Sequence, residues 1–140
     1  MRVKDLDGSR WTGTNKLWME PTEPALDSPA TLAFAGDTLR YTWDFKGKAH
    51  QGALQGLATG VRWSDSWHQS GGVDCLPFPS LGAPLLSVGY RYPAPPGPDW
   101  GWRIVLAQRP DDTMVLQMLN VTPWGEEALA VHIEATRQGD

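Results

Sequence analysis

The clearest structural signal in this chain is TLRYTWDF, the stretch Thr38–Phe45. Large apolar side chains occupy every second position, and polar side chains fill the positions between them. Successive side chains of a β-strand point to opposite faces, so this pattern predicts a strand that packs one face against a core. Tyr41 and Trp43 belong to the face that we expect to be buried.

The same strand character recurs along the rest of the chain. Fifteen glycines and twelve prolines interrupt the sequence so often that no long amphipathic helix is predicted. The segments 20–29, 70–84 and 93–98 are rich in turn-forming residues and are expected to be irregular. We therefore predict an all-β barrel or sandwich of about eight to ten strands. The further predicted strands are Trp11–Met19, Thr31–Phe34, Ala53–Thr59, Val61–His68, Leu86–Tyr92, Trp100–Ala107, Met114–Val121 and Ala128–Thr136.

Length and composition predict a single globular domain over residues 1–140. Hydrophobic residues make up 41% of the chain and charged residues 20%, and the net charge is −4. The twelve Lys and Arg residues form no basic stripe, which argues against a nucleic-acid partner. We see neither a secretion signal nor an apolar stretch of membrane-spanning length, and Cys75 is the only cysteine. These features predict a reduced, cytoplasmic protein without membrane contact.

Eight tryptophans among 140 residues suggest an aromatic-lined pocket. A large ring has to be packed, and its indole N–H needs a partner when it is buried. The densest cluster is WSDSWH, residues Trp63–His68. Strict alternation would point Trp63, Asp65 and Trp67 inward and would turn His68 to the other face, away from Asp65. This geometry argues against a Ser-His-Asp triad.

Asp65 has two possible roles in this arrangement. A carboxylate between two indoles would be partly desolvated, so we expect it to have a hydrogen bond or an arginine partner, or else a raised pKa. It could anchor a ligand at the base of a pocket, or it could make a structural ion pair or hydrogen bond. The predicted ligand-binding residues are Tyr41, Trp43, Trp63, Asp65, Trp67, His68, Trp102 and Met118.

Three glycines spaced four residues apart form another distinctive pattern. Gly52, Gly56 and Gly60 would leave one face of a strand nearly flat. We expect either that a neighbouring tryptophan lies across this face or that the strand bends there.

Two segments of the chain resemble those of calycin-type proteins. Leu6–Gly13 (LDGSRWTG) looks like the opening of these barrels, although two residues separate Gly8 from Trp11 instead of the single residue of the lipocalin pattern. Trp63–His68 resembles a motif of an uncharacterised bacterial family of calycin-like proteins. The resemblance implies an up-and-down antiparallel barrel around a small-molecule cavity, as in lipocalins.

The segment His132–Arg137 (HIEATR) is similar to the region of nitrobindin that holds haem through a histidine near the C-terminus. That resemblance implies a haem-binding role for His132. Alternation argues the other way, because Val131 and Ile133 form the apolar face and place His132 on the opposite side.

The sequence therefore favours a binding protein for a small hydrophobic or aromatic molecule, present as a monomer or homodimer. The three histidines are isolated in sequence, so we predict no metal site, and we expect no resident cofactor. Three alternatives stay open. They are an enzyme that uses Asp65 or His68 as acid or base, a haem-binding barrel, and a solid structural barrel without a cavity.

Overall fold

The computed structural model describes residues 3–78, 82 and 84–139 and contains one short helix and eleven strands within them. The 3₁₀ helix η1 precedes the first strand. In chain order the elements are η1 (Val3–Leu6), β1 (Arg10–Leu17), β2 (Leu26–Ala35), β3 (Thr38–Phe45), β4 (Lys48–Gln55), β5 (Arg62–Asp65), β6 (Gln69–Asp74), β7 (Leu76–Pro77), β8 (Leu86–Tyr92), β9 (Trp100–Gln108), β10 (Met114–Val121) and β11 (Glu127–Arg137). Within the described residues, no helix has the length and apolar character needed to span a membrane.

The strands form a single antiparallel sheet in the order β6-β5-β4-β3-β2-β1-β11-β10-β9-β8-β7. Each neighbouring pair is also consecutive in the chain, except that β1 pairs with β11. The sheet curls into a nearly closed up-and-down barrel, which confirms the predicted fold class and is compatible with a calycin-like fold. Strands β6 and β7 are its two edges.

Eleven strands exceed the eight to ten that were predicted, because segments expected to be irregular also pair. Strand β7 and most of β6 lie within 70–84, and β2 begins at Leu26. Pro29 is tolerated in β2 because β3 pairs with this strand only from Ala30 onward. The proline therefore lies where β2 has a single paired neighbour and fewer N–H groups are required.

The two ends of the barrel differ. At the capped end, the Leu6 side chain of η1 is fully buried in the core, and the backbone N–H of Gly8 donates to the carbonyl of Phe34 at 2.8 Å. The up-and-down topology places the β3–β4 and β5–β6 turns at the opposite end, which we call the loop end. The core lies between these ends and is built from the alternate, inward-facing side chains of the strands.

Candidate functional site

The candidate site begins with a row of three residues on adjacent strands. Tyr41 of β3 pairs with Gly52 of β4, and Gly52 pairs with Asp65 of β5. A Cβ atom on Gly52 would collide with the Tyr41 ring. The missing side chain therefore lets the phenol cross β4 and reach the carboxylate two strands away. The sequence predicted either a tryptophan across these glycines or a bend of the strand. At Gly52 the ring is that of a tyrosine, and β4 ends at Gln55, before Gly56 and Gly60.

Asp65 accepts hydrogen bonds on both of its oxygens. The Tyr41 hydroxyl donates to Oδ2, and Trp63 Nε1 in turn donates to the Tyr41 hydroxyl at 2.8 Å. Oδ1 accepts the backbone N–H groups of Trp67 and His68 at 2.7 and 2.9 Å. It also contacts Nδ1 of His68 at 3.2 Å. The Asp65 side chain is 1% exposed, so these four donors replace its water.

The structure corrects the predicted separation of Asp65 from His68. Strand β5 ends at Asp65, and the chain turns over residues 66–68 before β6 begins. Alternation therefore stops at Asp65, and the turn folds His68 back onto its carboxylate. Two turn amides pointing at the carboxylate explain why the turn forms here, since aspartate side chains bond backbone N–H groups a few residues ahead.

The same turn changes the position of Trp67. Instead of continuing the inward face of a strand, this side chain lies at the loop end and is 37% exposed. Its ring packs edge-on against Phe45 and His50, with centroid distances of 4.9 and 5.0 Å. Trp67 is thus a rim residue rather than a wall residue of the interior.

Burial and hydrogen bonding set the protonation of this network. Burial alone would raise the pKa of Asp65, but the hydrogen bonds from His68 and Tyr41 outweigh it and leave the pKa below its ordinary value. Burial, reinforced by the adjacent Asp65 charge, raises the pKa of Tyr41 well above its ordinary value. The carboxylate is therefore ionised and the phenol is protonated at neutral pH.

Aromatic and imidazole rings surround His68 toward the barrel interior. The Trp102 ring lies 5.1 Å from it, and the Trp43 and Trp63 rings each lie 6.3 Å away between centroids. Trp63 and Trp102 stack at 5.6 Å with an interplanar angle of 15°. Trp43 stacks on His50 at 4.7 Å. We call this group the ring cluster; its members are Trp43, His50, Trp63, Trp67, His68 and Trp102.

Four interior-facing side chains carry buried polar atoms that no described residue satisfies. They are Nε1 of Trp43, Nε1 of Trp102, Nε2 of His50, and both Oδ1 and Nδ2 of Asn15. Each of these side chains is at most 7% exposed. Buried polar groups are normally hydrogen-bonded, so each of these atoms calls for a partner.

Sequence reasoning missed Asn15 and His50. Asn15 shares the inward face of β1 with Trp11 and Leu17, and alternation alone could have identified it as a buried amide. His50 faces Trp43 directly across β3 and β4, a contact that needs the strand register. Met118, predicted as a wall residue, is fully buried in the core and pairs with Ile104 and Val131 on the neighbouring strands.

His132 lies on the outer face of β11, as alternation predicted. Its Nδ1 contacts the Gln117 side-chain amide at 2.9 Å, and its Nε2 contacts the Glu134 carboxylate at 2.9 Å. Both ring nitrogens are engaged outside the barrel, so His132 does not fit the role of a haem ligand in the interior. Among the described residues, no three His, Cys, Asp or Glu side chains converge as metal ligands.

The sequence of the chain matches no protein-family model, and no curated protein matches it.

Proposed function

We propose that this barrel binds a small aromatic or other planar apolar molecule non-covalently in its interior near the loop end. The observation that carries the proposal is the coincidence of the ring cluster with buried polar atoms that lack protein partners. The rings supply apolar surface, and the polar atoms supply hydrogen-bonding groups that face the interior. Binding pockets combine these two properties.

Energetics supports a partner for the polar atoms. An unsatisfied buried donor or acceptor costs about 1–3 kcal/mol, which is a large fraction of the stability of a small domain. A bound molecule would remove this cost for Asn15, Trp43, His50 and Trp102. Before the ligand binds, interior water molecules would do the same, and the ligand would displace them. Stacking on the indoles would add about 0.5–1.5 kcal/mol for each well-placed aromatic pair.

In this proposal Asp65 organises the site instead of anchoring the ligand. Both of its oxygens already accept hydrogen bonds from the protein. The carboxylate thereby holds the 66–68 turn and orients the His68 ring toward Trp102. The ligand contacts are assigned to the indoles of Trp43 and Trp102 and to the rim residue Trp67.

Native mass spectrometry on freshly purified protein, compared with the denatured mass, tests for a copurified ligand. Titration with 2-naphthoate and 2-methylnaphthalene, followed by quenching of tryptophan fluorescence, tests binding directly. We expect saturable quenching, and we expect Trp43→Leu to lower the affinity for the probe at least tenfold. Trp124→Leu is the control, because that side chain is 70% exposed and has no ring contact with the cluster. Equal affinities in both variants, or no saturable binding and no extra mass, would overturn the proposal.

A second candidate function is acid–base catalysis on the bound molecule, favoured by the contact between Asp65 and His68. A carboxylate at Nδ1 fixes the proton on that nitrogen and leaves the lone pair on Nε2, as expected for a general base. The His68 side chain is 17% exposed, so it is accessible to a small molecule. If ¹⁵N chemical shifts show the Nε2–H tautomer in the folded protein, Nε2 of His68 has no free lone pair and cannot act as the general base.

Membership of the uncharacterised bacterial calycin-like family, a cytoplasmic location and a monomeric or homodimeric state stay predictions from the sequence. Sedimentation velocity would decide the oligomeric state, since the two differ twofold in mass.

A further inference from the structure

We propose that the polar end of the ligand is a hydrogen-bond acceptor oxygen, a carbonyl or a carboxylate, received by Trp43, His50 and Trp102. This inference rests on the proposed function, because it specifies the chemistry of the molecule that the interior holds. It follows from the kind of polar atom left unpartnered there.

Two of the unpartnered atoms are donors only. The indole nitrogens of Trp43 and Trp102 each carry one hydrogen and have no lone pair available to accept. A ligand ammonium group, which has no lone pair, would place donor against donor at both positions. An oxygen acceptor satisfies them.

The contact between His50 and the Ser66 hydroxyl allows the free nitrogen of His50 to act as a third donor. The Ser66 hydroxyl oxygen accepts the backbone N–H of Gln51 at 3.0 Å, and it lies 3.2 Å from Nδ1 of His50. When the Ser66 hydroxyl proton points to Nδ1, the neutral imidazole carries its own proton on Nε2. Nε2 is the buried atom of His50 that has no partner among the described residues.

The three donors belong to one group of rings. His50 stacks on Trp43 at 4.7 Å, and the rings of Trp43 and Trp102 lie 6.3 and 5.1 Å from the same ring, that of His68. Asn15, which offers both a donor and an acceptor, faces the same interior. The unpartnered interior atoms of the described residues are therefore mainly donors, and the complementary ligand is rich in acceptors.

Among the described residues no lysine or arginine is buried, and the buried Asp65 charge is already hydrogen-bonded within the protein. Neutral N–H donors can hydrogen-bond to a carbonyl oxygen as well as to a carboxylate oxygen. The feature that both ligand groups share is therefore the acceptor oxygen. A ketone probe and a carboxylate probe separate the neutral from the charged form.

Three probes with the same ring system test the inference: 2-methylnaphthalene, 2-acetonaphthone and 2-naphthoate. Their dissociation constants are measured at pH 7 by calorimetry or by tryptophan quenching. We expect at least one oxygen-bearing probe to bind at least tenfold more tightly than 2-methylnaphthalene. Tighter binding of 2-acetonaphthone would identify a neutral carbonyl as the preferred group, and tighter binding of 2-naphthoate would identify a carboxylate.

Matched variants locate the contact. Trp102→Phe keeps a ring but removes the donor. It should lower the affinity for the preferred oxygen-bearing probe about tenfold and the affinity for 2-methylnaphthalene less than about threefold. Trp11→Phe is the control, because Trp11 lies at the capped end and its Nε1 donates to Ser9 at 2.9 Å. Near-UV circular dichroism verifies that each variant is folded.

One readout requires no variant. The indole N–H resonances of Trp43 and Trp102 should move downfield with an oxygen-bearing probe and much less with 2-methylnaphthalene. Equal affinity of all three probes, with unmoved indole resonances, would overturn this inference while leaving the proposed function intact. Failure of all three probes to bind, together with the absence of a copurified mass, would overturn both.

Discussion

The Tyr41 hydroxyl on β3 donates its hydrogen bond to the Asp65 carboxylate on β5, across the intervening strand β4. Gly52 makes this contact possible, because any side chain on it would occupy the volume of the phenol ring. The contact ties β3 to β5 and fixes the carboxylate that holds the 66–68 turn. The orientation of His68 within the ring cluster therefore depends on Gly52, although this glycine has no side chain to contact His68.

Gly52→Ala should destabilise the protein by about 1–3 kcal/mol, the cost of overpacking a closely packed interior. The new methyl group meets the Tyr41 ring, which has to leave the Asp65 carboxylate. Urea denaturation followed by tryptophan fluorescence measures the loss. Gly60→Ala is the matched control, since a Cβ atom there meets no heavy atom within 4 Å. Equal stability of the two variants would contradict this account of Gly52.

Asp65→Asn should lower the free energy of unfolding at pH 7 by about 2 kcal/mol, in the range for hydrogen bonds to a charged group. Despite burial, the hydrogen bonds from His68 and Tyr41 lower the pKa of Asp65 in the folded protein. Its contribution is therefore complete above the unfolded value, about 3.9, and is lost as the pH falls through the folded pKa. The difference between wild type and variant should shrink under acid conditions. A difference that stays constant from pH 7 to pH 2.5 would refute the assignment.

Tyr41 should stay protonated in the folded protein beyond pH 10. Burial and the Asp65 charge raise its pKa, so its contribution to stability is complete below the unfolded value of about 10 and is lost as the pH rises toward the folded value. Absorbance at 295 nm should show one tyrosine that ionises only with unfolding. In Tyr41→Phe that late step should be missing. A native titration in which all three tyrosines ionise near pH 10 would be inconsistent with the buried phenol.

Cys75 should react slowly with a disulfide reagent in the native state. Burial, together with the nearby Asp74 charge, raises the pKa of the thiol to about 11, so little thiolate is present at pH 8. The rate in urea provides the reference for an exposed thiol. Comparable rates in the folded and unfolded protein would show that the thiol is accessible.

The strand pattern was readable from the sequence because alternation is a local property. Thr38–Phe45 forms β3 with Leu39, Tyr41 and Trp43 buried, as predicted. Residues 114–121 pair over their predicted range as β10. The position of His132 on the outer face of β11 followed from the same rule.

The prediction from alternation was wrong where backbone N–H groups bond to a side chain instead of to a neighbouring strand. The amides of Trp67 and His68 bond to the Asp65 carboxylate, so the chain turns at residue 66 although its composition still suits a strand. The contact between Asp65 and His68, and the exposure of Trp67, follow from that turn.

By itself, the amino-acid sequence determined an all-β chain with aromatic side chains on the inward faces of its strands, because the spacing of apolar residues is set by the two-residue period of a strand. Only the tertiary structure decided which strands are neighbours and in what register. Those two choices brought Gly52 beneath Tyr41, paired Asp65 with His68, and placed the buried rings of Trp43, His50 and Trp102 in one cluster. Such contacts join residues distant in sequence, and their geometry depends on strand order and on backbone turns that no local pattern specifies.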